Sequence, residues 1–254
     1  MLTALGDDSN GSFIRSACRE VGIDLSMSVT FPDEVSSTYL CLNDEHGDVV
    51  CAVSDMSVCD RLTPEVIQPH LPQLRQAAMI VMDANLPEET IDYVASQVSC
   101  PLFADPVSVA KAGRLKAALR HLTMIKPNAA EASLLTGVTI DSREDLETAA
   151  GALLRRGLKY VVISLGGDGV YWHDGHRSGI QPCLPTPVIN TNGCGDAFLA
   201  AAASSYLEHG TLADMVRCGI AGSAICAGSS SAVSHELSHS LLLDYVKRYT
   251  EDIH

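Results

Sequence analysis

Asn190-Thr191-Asn192-Gly193-Cys194-Gly195-Asp196-Ala197-Phe198 is the stretch whose reading decides the fold of this chain. Residues 190–194 are too polar and glycine-rich for a strand, and Val188-Ile189 just ahead of them read as a strand end. From Asp196 the chain continues Ala-Phe-Leu-Ala-Ala-Ala-Ala-Ser-Ser-Tyr-Leu-Glu-His, nearly all good helix formers, with Gly210 where a helix C-cap belongs. Two glycines, a small residue and one carboxylate therefore lie at a helix N-terminus. That end has unpaired N–H groups and the positive pole of the helix dipole, so it can seat phosphate oxygens. A plain capped helix, with a dipole-favoured Asp in its first turn, accounts for the same residues.

Working outward, 254 residues suit one large α/β domain or two small ones. A chain that is 46% hydrophobic and 19% charged is globular, not disordered. The net charge of -14 argues against nucleic acid as a partner. It also means that an anionic substrate must meet a local positive feature, such as a helix terminus or a metal ion. Nine scattered cysteines without a CxxC pair read as reduced thiols of a cytoplasmic protein, not as disulfides or a zinc site. No apolar segment approaches membrane-spanning length and none follows a basic N-terminal region, so no membrane partner is expected.

Leu2-Thr3-Ala4-Leu5 reads as a short strand ending at Gly6-Asp7-Asp8, and residues 9–21 as a helix closed by Gly22. Alternating runs over 36–42 and 49–53 flank the turn-forming Asn43-Asp44-Glu45-His46-Gly47, which is a hairpin pattern. From Thr63-Pro64-Glu65, where Pro opens a helix, helices and strands alternate. Strands are expected over 78–82, 102–104, 122–125 and 160–164, and helices over 87–98, 108–119 and 145–156. Val170-Tyr171-Trp172 begins a second hairpin. Strands with polar C-terminal ends, alternating with helices, imply a parallel sheet covered on both faces. Ligands of such sheets bind beyond the strand carboxyl ends, where Asp83, Asn85, Asp105, Asn128 and Gly166 all fall. Without repeats or linkers, one domain over 1–254 with a small β extension is the simplest architecture.

Three phosphate-seating elements then share one edge of the sheet. Besides Gly193-Cys194-Gly195-Asp196 there is Ser164-Leu165-Gly166-Gly167-Asp168-Gly169, whose glycines let backbone approach a ligand closely. An ordinary tight turn explains that loop equally well. The third is Lys126-Pro127-Asn128-Ala129-Ala130-Glu131, where Asn128 and Glu131 can point into one cleft. An N-cap with a capping-box Glu is its plain structural reading.

The order of these elements resembles the ribokinase-like (pfkB) family of sugar and nucleoside kinases. Lys126-Pro127-Asn128-x-x-Glu131, the strand followed by Gly166-x-x-Gly169, and Asn190-Thr191-x-Gly193-x-Gly195-Asp196 carry the likeness, which covers essentially the whole chain. Residues 48–56, 83–87 and 105–111 are most similar to the family's pseudouridine kinase branch. The resemblance implies a ribokinase-like three-layer α/β sandwich with a mostly parallel central sheet, the 36–53 hairpin forming a small β lid. It implies ATP-dependent phosphorylation, with Mg²⁺, of a nucleoside or sugar hydroxyl, pseudouridine first. Another ribokinase-type sugar kinase, or a silent binding or dimerisation module on the same fold, are the alternatives.

Residue by residue, the resemblance makes Asp196 the general base that contacts the substrate hydroxyl, with the amides of Gly193, Cys194 and Gly195 as anion hole. Asn128 and Glu131 would organise Mg²⁺ and phosphate through water. Ser164, Gly166, Gly169 and Gly195 would line the nucleotide site, and the helix around 221–227 would floor the adenine. Asn85 falls where the family places a sugar-contacting residue. The lid would exclude water and join two copies as a homodimer. Two departures stand out. Asn190 replaces the Asp that opens the family's signature, so a monovalent cation such as K⁺ beside Asn190 and Asn192 lacks its carboxylate. The family's opening strand and Gly-Gly-x-x-x-Asn stretch are absent, so the domain is expected to lack the opening segment that supplies much of the sugar site.

His235-Glu236-Leu237-Ser238-His239 matches the H-E-x-x-H zinc-protease pattern if it opens a helix. Its further ligand candidates Glu251, Asp252 and His254 lie on the same terminal segment, and a chance match explains it better. Neither a G-x-x-x-x-G-K-[ST] loop nor a complete dinucleotide fingerprint is present.

Overall fold

The computed structural model describes residues 1–43 and 49–252. Most of the expected first-hairpin turn (44–47) and His254 lie outside them. The chain runs β1 (Ala4–Gly6), α1 (Ser9–Glu20), β2 (Val29–Phe31), β3 (Thr38–Asn43), β4 (Val49–Asp55), α2 (Pro64–Ile67) and α3 (Leu71–Leu74). There follow β5 (Ile80–Asp83), α4 (Glu88–Gln97), β6 (Leu102–Asp105), α5 (Val109–Ala112), β7 (Met124–Ile125), α6 (Ala129–Thr136) and α7 (Arg143–Leu154). The remainder is β8 (Tyr160–Ser164), β9 (Val170–His173), β10 (Ser178–Gln181), α8 (Cys194–Leu207), α9 (Leu212–Ala227) and α10 (His239–Asp252).

The central sheet has the order β10-β9-β8-β7-β6-β5, with β5 to β8 parallel and β9 and β10 antiparallel at one edge. Side chains alternate across a strand, and here the alternation sorts the core into two layers. Leu102, Ala104, Ile125, Val161 and Ile163 pack with Ile91, Leu115, Leu135 and Leu153 on one face. Phe103, Met124 and Val162 pack with Phe198, Leu199, Met215, Val216 and Ile220 on the other. The result is the expected three-layer α/β/α sandwich with a mostly parallel sheet. Phe103 is fully buried between Met124 and the α8–α9 pair. Cutting such a side chain to Ala costs about 3–5 kcal/mol.

Two smaller sheets flank the main one. β1 pairs in parallel with β2, a three-residue strand not read in the sequence. β3 and β4 form the antiparallel hairpin expected as a lid. Its base is tied to α1 through Asp8, the N-cap of that helix. One Asp8 oxygen accepts Gly11 N–H at 2.7 Å and the Ser36 hydroxyl at 2.7 Å, and the other accepts Ser36 N–H at 2.9 Å. These bonds hold the Asp8 carboxyl below the usual carboxylate range.

Several local expectations are corrected. Val188-Ile189 is not a strand: residues 182–191 are irregular, and both side chains are exposed. α8 begins at Cys194 with Gly193 as its N-cap, so Gly193-Cys194-Gly195-Asp196 is the expected helix start. At the other end His209, not Gly210, takes the left-handed conformation, and Gly210 N–H bonds back to Ser205 O. The helix expected over 108–119 breaks at Gly113 into α5 and 3₁₀ turns. His235 and Glu236 lie in a turn and only His239 is helical, so the two histidines do not share a helix face. Among the described residues, no group of three or more His, Cys, Asp or Glu side chains could hold a metal. No described helix is long and apolar enough to cross a membrane.

Candidate active site

The start of α8 is shaped by Gly193. Its φ of 81° lies in the left-handed region, and a Cβ there would sit 2.0 Å from Ala232 O. No side chain fits, so glycine is required on two independent grounds. Ala197 N–H bonds to Gly193 O at 2.9 Å and Cys194 N–H to Thr191 O at 3.3 Å. Among the described residues, the amides of Gly193, Gly195 and Asp196 have no acceptor in the protein. Of the three amides expected in an anion hole, Cys194 is thus already engaged and two remain available. The Cys194 thiol is pushed up to about 12, first by burial and then by Cys226 beside it. It stays protonated at neutral pH and is no nucleophile.

Asp196 is the third residue of the helix, in its first turn, and is exposed on one side while its carboxyl is partly desolvated by the protein on the other. Partial desolvation raises its pKa, with further upward pressure from Asp105 and Asp83 and a downward pull from Lys126. The helix dipole alone suggests the opposite direction; burial and neighbouring carboxylates outweigh it.

The second element is the Asn128–Glu131 pair. Glu131 N–H bonds to Asn128 Oδ1 at 2.9 Å, and Asn128 N–H to Glu131 Oε2 at 2.9 Å, a reciprocal capping box at the start of α6. Glu131 is only 5% exposed, and burial raises its pKa. Its other carboxylate oxygen is not used by the box. These hard oxygen donors suit one hydrated Mg²⁺ shared with phosphates better than a dedicated cage.

The third element joins the second edge to edge. Ser164 N–H bonds to Pro127 O at 2.9 Å, and Asn128 and Ser164 form a parallel bridge. Gly169, at φ 100°, is pressed so close to β10 that a Cβ would lie 2.1 Å from Gln181 O.

All three elements meet at one cavity of about 500 Å³. Lys126, Asn128, Ser164, Gly166, Gly169, Cys194 and Gly195 form its polar wall. Val170, Leu184, Val188, Ile220, Ala224 and Ala227 form an apolar slot, with α9 as its floor. Polar N–H groups at one end and an apolar slot at the other fit a nucleotide. Glu131, Asp196 and Gly193 lie behind or beside this lining. Asn85 is not among the residues lining this cavity: its Oδ1 accepts from Lys111 Nζ, and its carbonyl accepts from Arg114 at 2.8 Å.

Asn190 and Asn192 are bonded to each other, with Asn190 Oδ1 accepting Asn192 N–H at 2.9 Å and Nδ2 at 3.0 Å. Asn192 O accepts the Cys226 thiol at 3.5 Å. Asn190 Oδ1 is thus engaged twice by Asn192, and Asn190 stands where the family signature has a carboxylate. Sequence reasoning missed Lys126 and Asp105 as functional residues. Lys126 opens the quoted Asn128 element and Asp105 falls among the quoted strand ends, but neither is given a role there, since nothing in the sequence shows that they meet at 3.1 Å.

The pfkB carbohydrate kinase family matches residues 1–238. Escherichia coli pseudouridine kinase is similar at 33% identity over 85% of this chain and 70% of its own length. An uncharacterized Escherichia coli sugar kinase is 31% identical over 94% of this chain and 66% of its own length. The chain thus spans about two thirds of these curated relatives. A solved carbohydrate kinase from Agrobacterium tumefaciens overlays with a TM-score of 0.81 at 29% identity, covering 97% of this chain and 79% of that one.

Proposed function

The chain belongs to the pfkB family of carbohydrate kinases and is a kinase; from that premise we propose that it phosphorylates pseudouridine to pseudouridine 5′-phosphate with ATP. One observation carries the nucleotide half of this reading: three phosphate-seating backbone elements share a single cavity wall, with Asp196 beside it. The similarity to a pseudouridine kinase supports the acceptor. Turnover compared on pseudouridine, uridine and ribose tests it. Preference for pseudouridine is expected; equal or faster turnover of ribose contradicts the acceptor assignment.

In this reading the apolar slot over α9 takes the adenine, and the Ser164–Gly169 loop takes the nucleotide's phosphates. The free amides of Gly193 and Gly195 at the positive end of α8 face charge that builds on the transferring group. Asp196 accepts the proton of the attacking hydroxyl. Burial and the neighbouring carboxylates raise its pKa, which makes it a stronger base than an ordinary Asp. Asn85, held by Lys111, orients the acceptor. Glu131 and Asn128 would hold Mg²⁺ through water, and the ion would neutralise phosphate charge.

The hairpin closes over the acceptor as a lid. Asn192 Nδ2 reaches Cys41 Sγ at 3.4 Å, so the β3 face carrying Cys41 is turned to the α8 start. The opposite face presents Leu40, Leu42 and Val53, which are 67%, 70% and 67% exposed. Such a patch supports a homodimer through the lid. Sedimentation should give a dimer that Leu40→Asp with Leu42→Asp splits; a wild-type monomer contradicts it. Nine free thiols fit a reducing, cytoplasmic setting.

A further inference from the structure

A chain of net charge -14 needs a local cation to hold a polyphosphate, and the site supplies one. Lys126 follows β7 and is 7% exposed, yet it lines the nucleotide cavity, where it is the one charged residue among the described lining residues. Its Nζ pairs with Asp105 Oδ2 at 3.1 Å. An ammonium group has three N–H donors, and among the described residues Asp105 is the one partner found for them. The ammonium also lies close to the start of α8: a Cβ placed on Gly195 would lie 3.4 Å from Lys126 Nζ. A buried ammonium with unspent donors is costly unless a further anion completes its shell.

Asp105 is held in turn by the loop after β6. Its Oδ1 accepts Val107 N–H at 2.8 Å while Oδ2 faces the lysine. Ser108 N–H bonds to Pro106 O at 2.7 Å across Val107, a three-residue turn that puts Val107 at φ 67°. A β-branched residue with positive φ is a strained outlier, kept where the surroundings over-determine it. Here the strain fixes the carboxylate that aims the lysine.

We propose that Lys126 is a catalytic residue that contacts the γ-phosphoryl oxygens of the bound nucleotide, and that Asp105, through the strained turn at Val107, is its positioning residue. The assignment rests on the kinase reading for its substrate but not for its binding test. Lys126 and Gly195 line the same cavity close to each other, so negative charge bound there meets a full cation and a helix N-terminus together. Asp105 keeps the ammonium from collapsing onto Asp196, which must remain free to take a proton.

The test measures MgATP and MgADP affinity by calorimetry, together with turnover, for wild type, Lys126→Met, Lys126→Arg and Asp105→Asn. A γ-phosphoryl contact makes Lys126→Met lose about tenfold in ATP affinity while ADP binding stays within about twofold. Turnover should fall by about 10²-fold. Lys126→Arg, which keeps the charge and the Asp105 pair, should recover part of the ATP preference. Asp105→Asn should lower that preference by a smaller factor and reduce kcat without moving KM for the acceptor. If Lys126→Met weakens ATP and ADP equally, or neither, the lysine is only structural and the proposal is overturned. Should wild type turn over no acceptor while Lys126 still sets its ATP preference, the contact stands and the phosphoryl-transfer reading fails. Normal turnover in wild type and in Lys126→Met leaves that reading intact and overturns the catalytic assignment.

Discussion

Two glycine-rich turns in this molecule each carry one carboxylate, and they are built for different ends. In the turn at Gly166–Asp168, Gly169 is wedged against β10, and Asp168 stands exposed at its tip. In the turn at Gly193, the glycine opens a 14-residue helix, and Asp196 is crowded by Asp105, Asp83 and Lys126. Both turns offer backbone to the same cavity. The second places its carboxylate where partial desolvation and neighbouring charges raise its pKa. Glycine next to aspartate is therefore not a signature of catalysis; the company the carboxylate keeps decides its role.

That contrast can be broken by substitution, beginning with the largest expected effect. Asp196→Asn keeps size and hydrogen bonding but loses the base, so turnover should fall by about 10²- to 10⁴-fold with ATP affinity little changed. Gly193→Ala should come next. Its Cβ would meet Ala232 O at 2.0 Å on a left-handed backbone, so the first turn of α8 must shift. Such strain costs about 1–3 kcal/mol, visible as a lowered Tm, and misplaced amides reduce turnover by about tenfold or more. Asp168→Asn should have the smallest effect, within about twofold in turnover, since an exposed residue away from other charges contributes little. A large loss in Asp168→Asn would erase the distinction between the turns.

The layers of the fold were legible because the strand–helix alternation survives in the hydrophobic pattern. Phe103, Met124 and Val162 on one face and Leu102, Ile125 and Val161 on the other obey a two-residue period that can be read without coordinates. Where reading failed, the physical cause is local. Val188-Ile189 is apolar enough for a strand, but Ile189 N–H bonds at 2.8 Å to Ala227 O at the end of α9 instead of to a strand, and both side chains stay exposed. His235–His239 has helical spacing, yet the helix starts only at His239, with Ser238 Oγ accepting Leu241 N–H at 3.3 Å at its first turn. Of the site, the backbone elements were visible as motifs and their convergence followed from strand ends. Lys126 was not visible as a functional group, because a lysine at a strand end usually points to solvent. Only its burial, and a carboxylate 21 residues earlier in the chain at 3.1 Å, show otherwise.

The central claim is that Asp196 is the base, and the pH dependence of kcat/KM tests it most directly. A base works when deprotonated, so activity is lost as pH falls through its pKa. Burial, Asp105 and Asp83 raise that pKa, against the opposing pull of Lys126. The acid limb of the wild-type profile should therefore lie above the ordinary Asp value of about 3.9. In Asp196→Asn the remaining activity should lose that limb. The same limb in Asp196→Asn, at near-normal turnover, would show that another group takes the proton and that Asp196 only caps its helix.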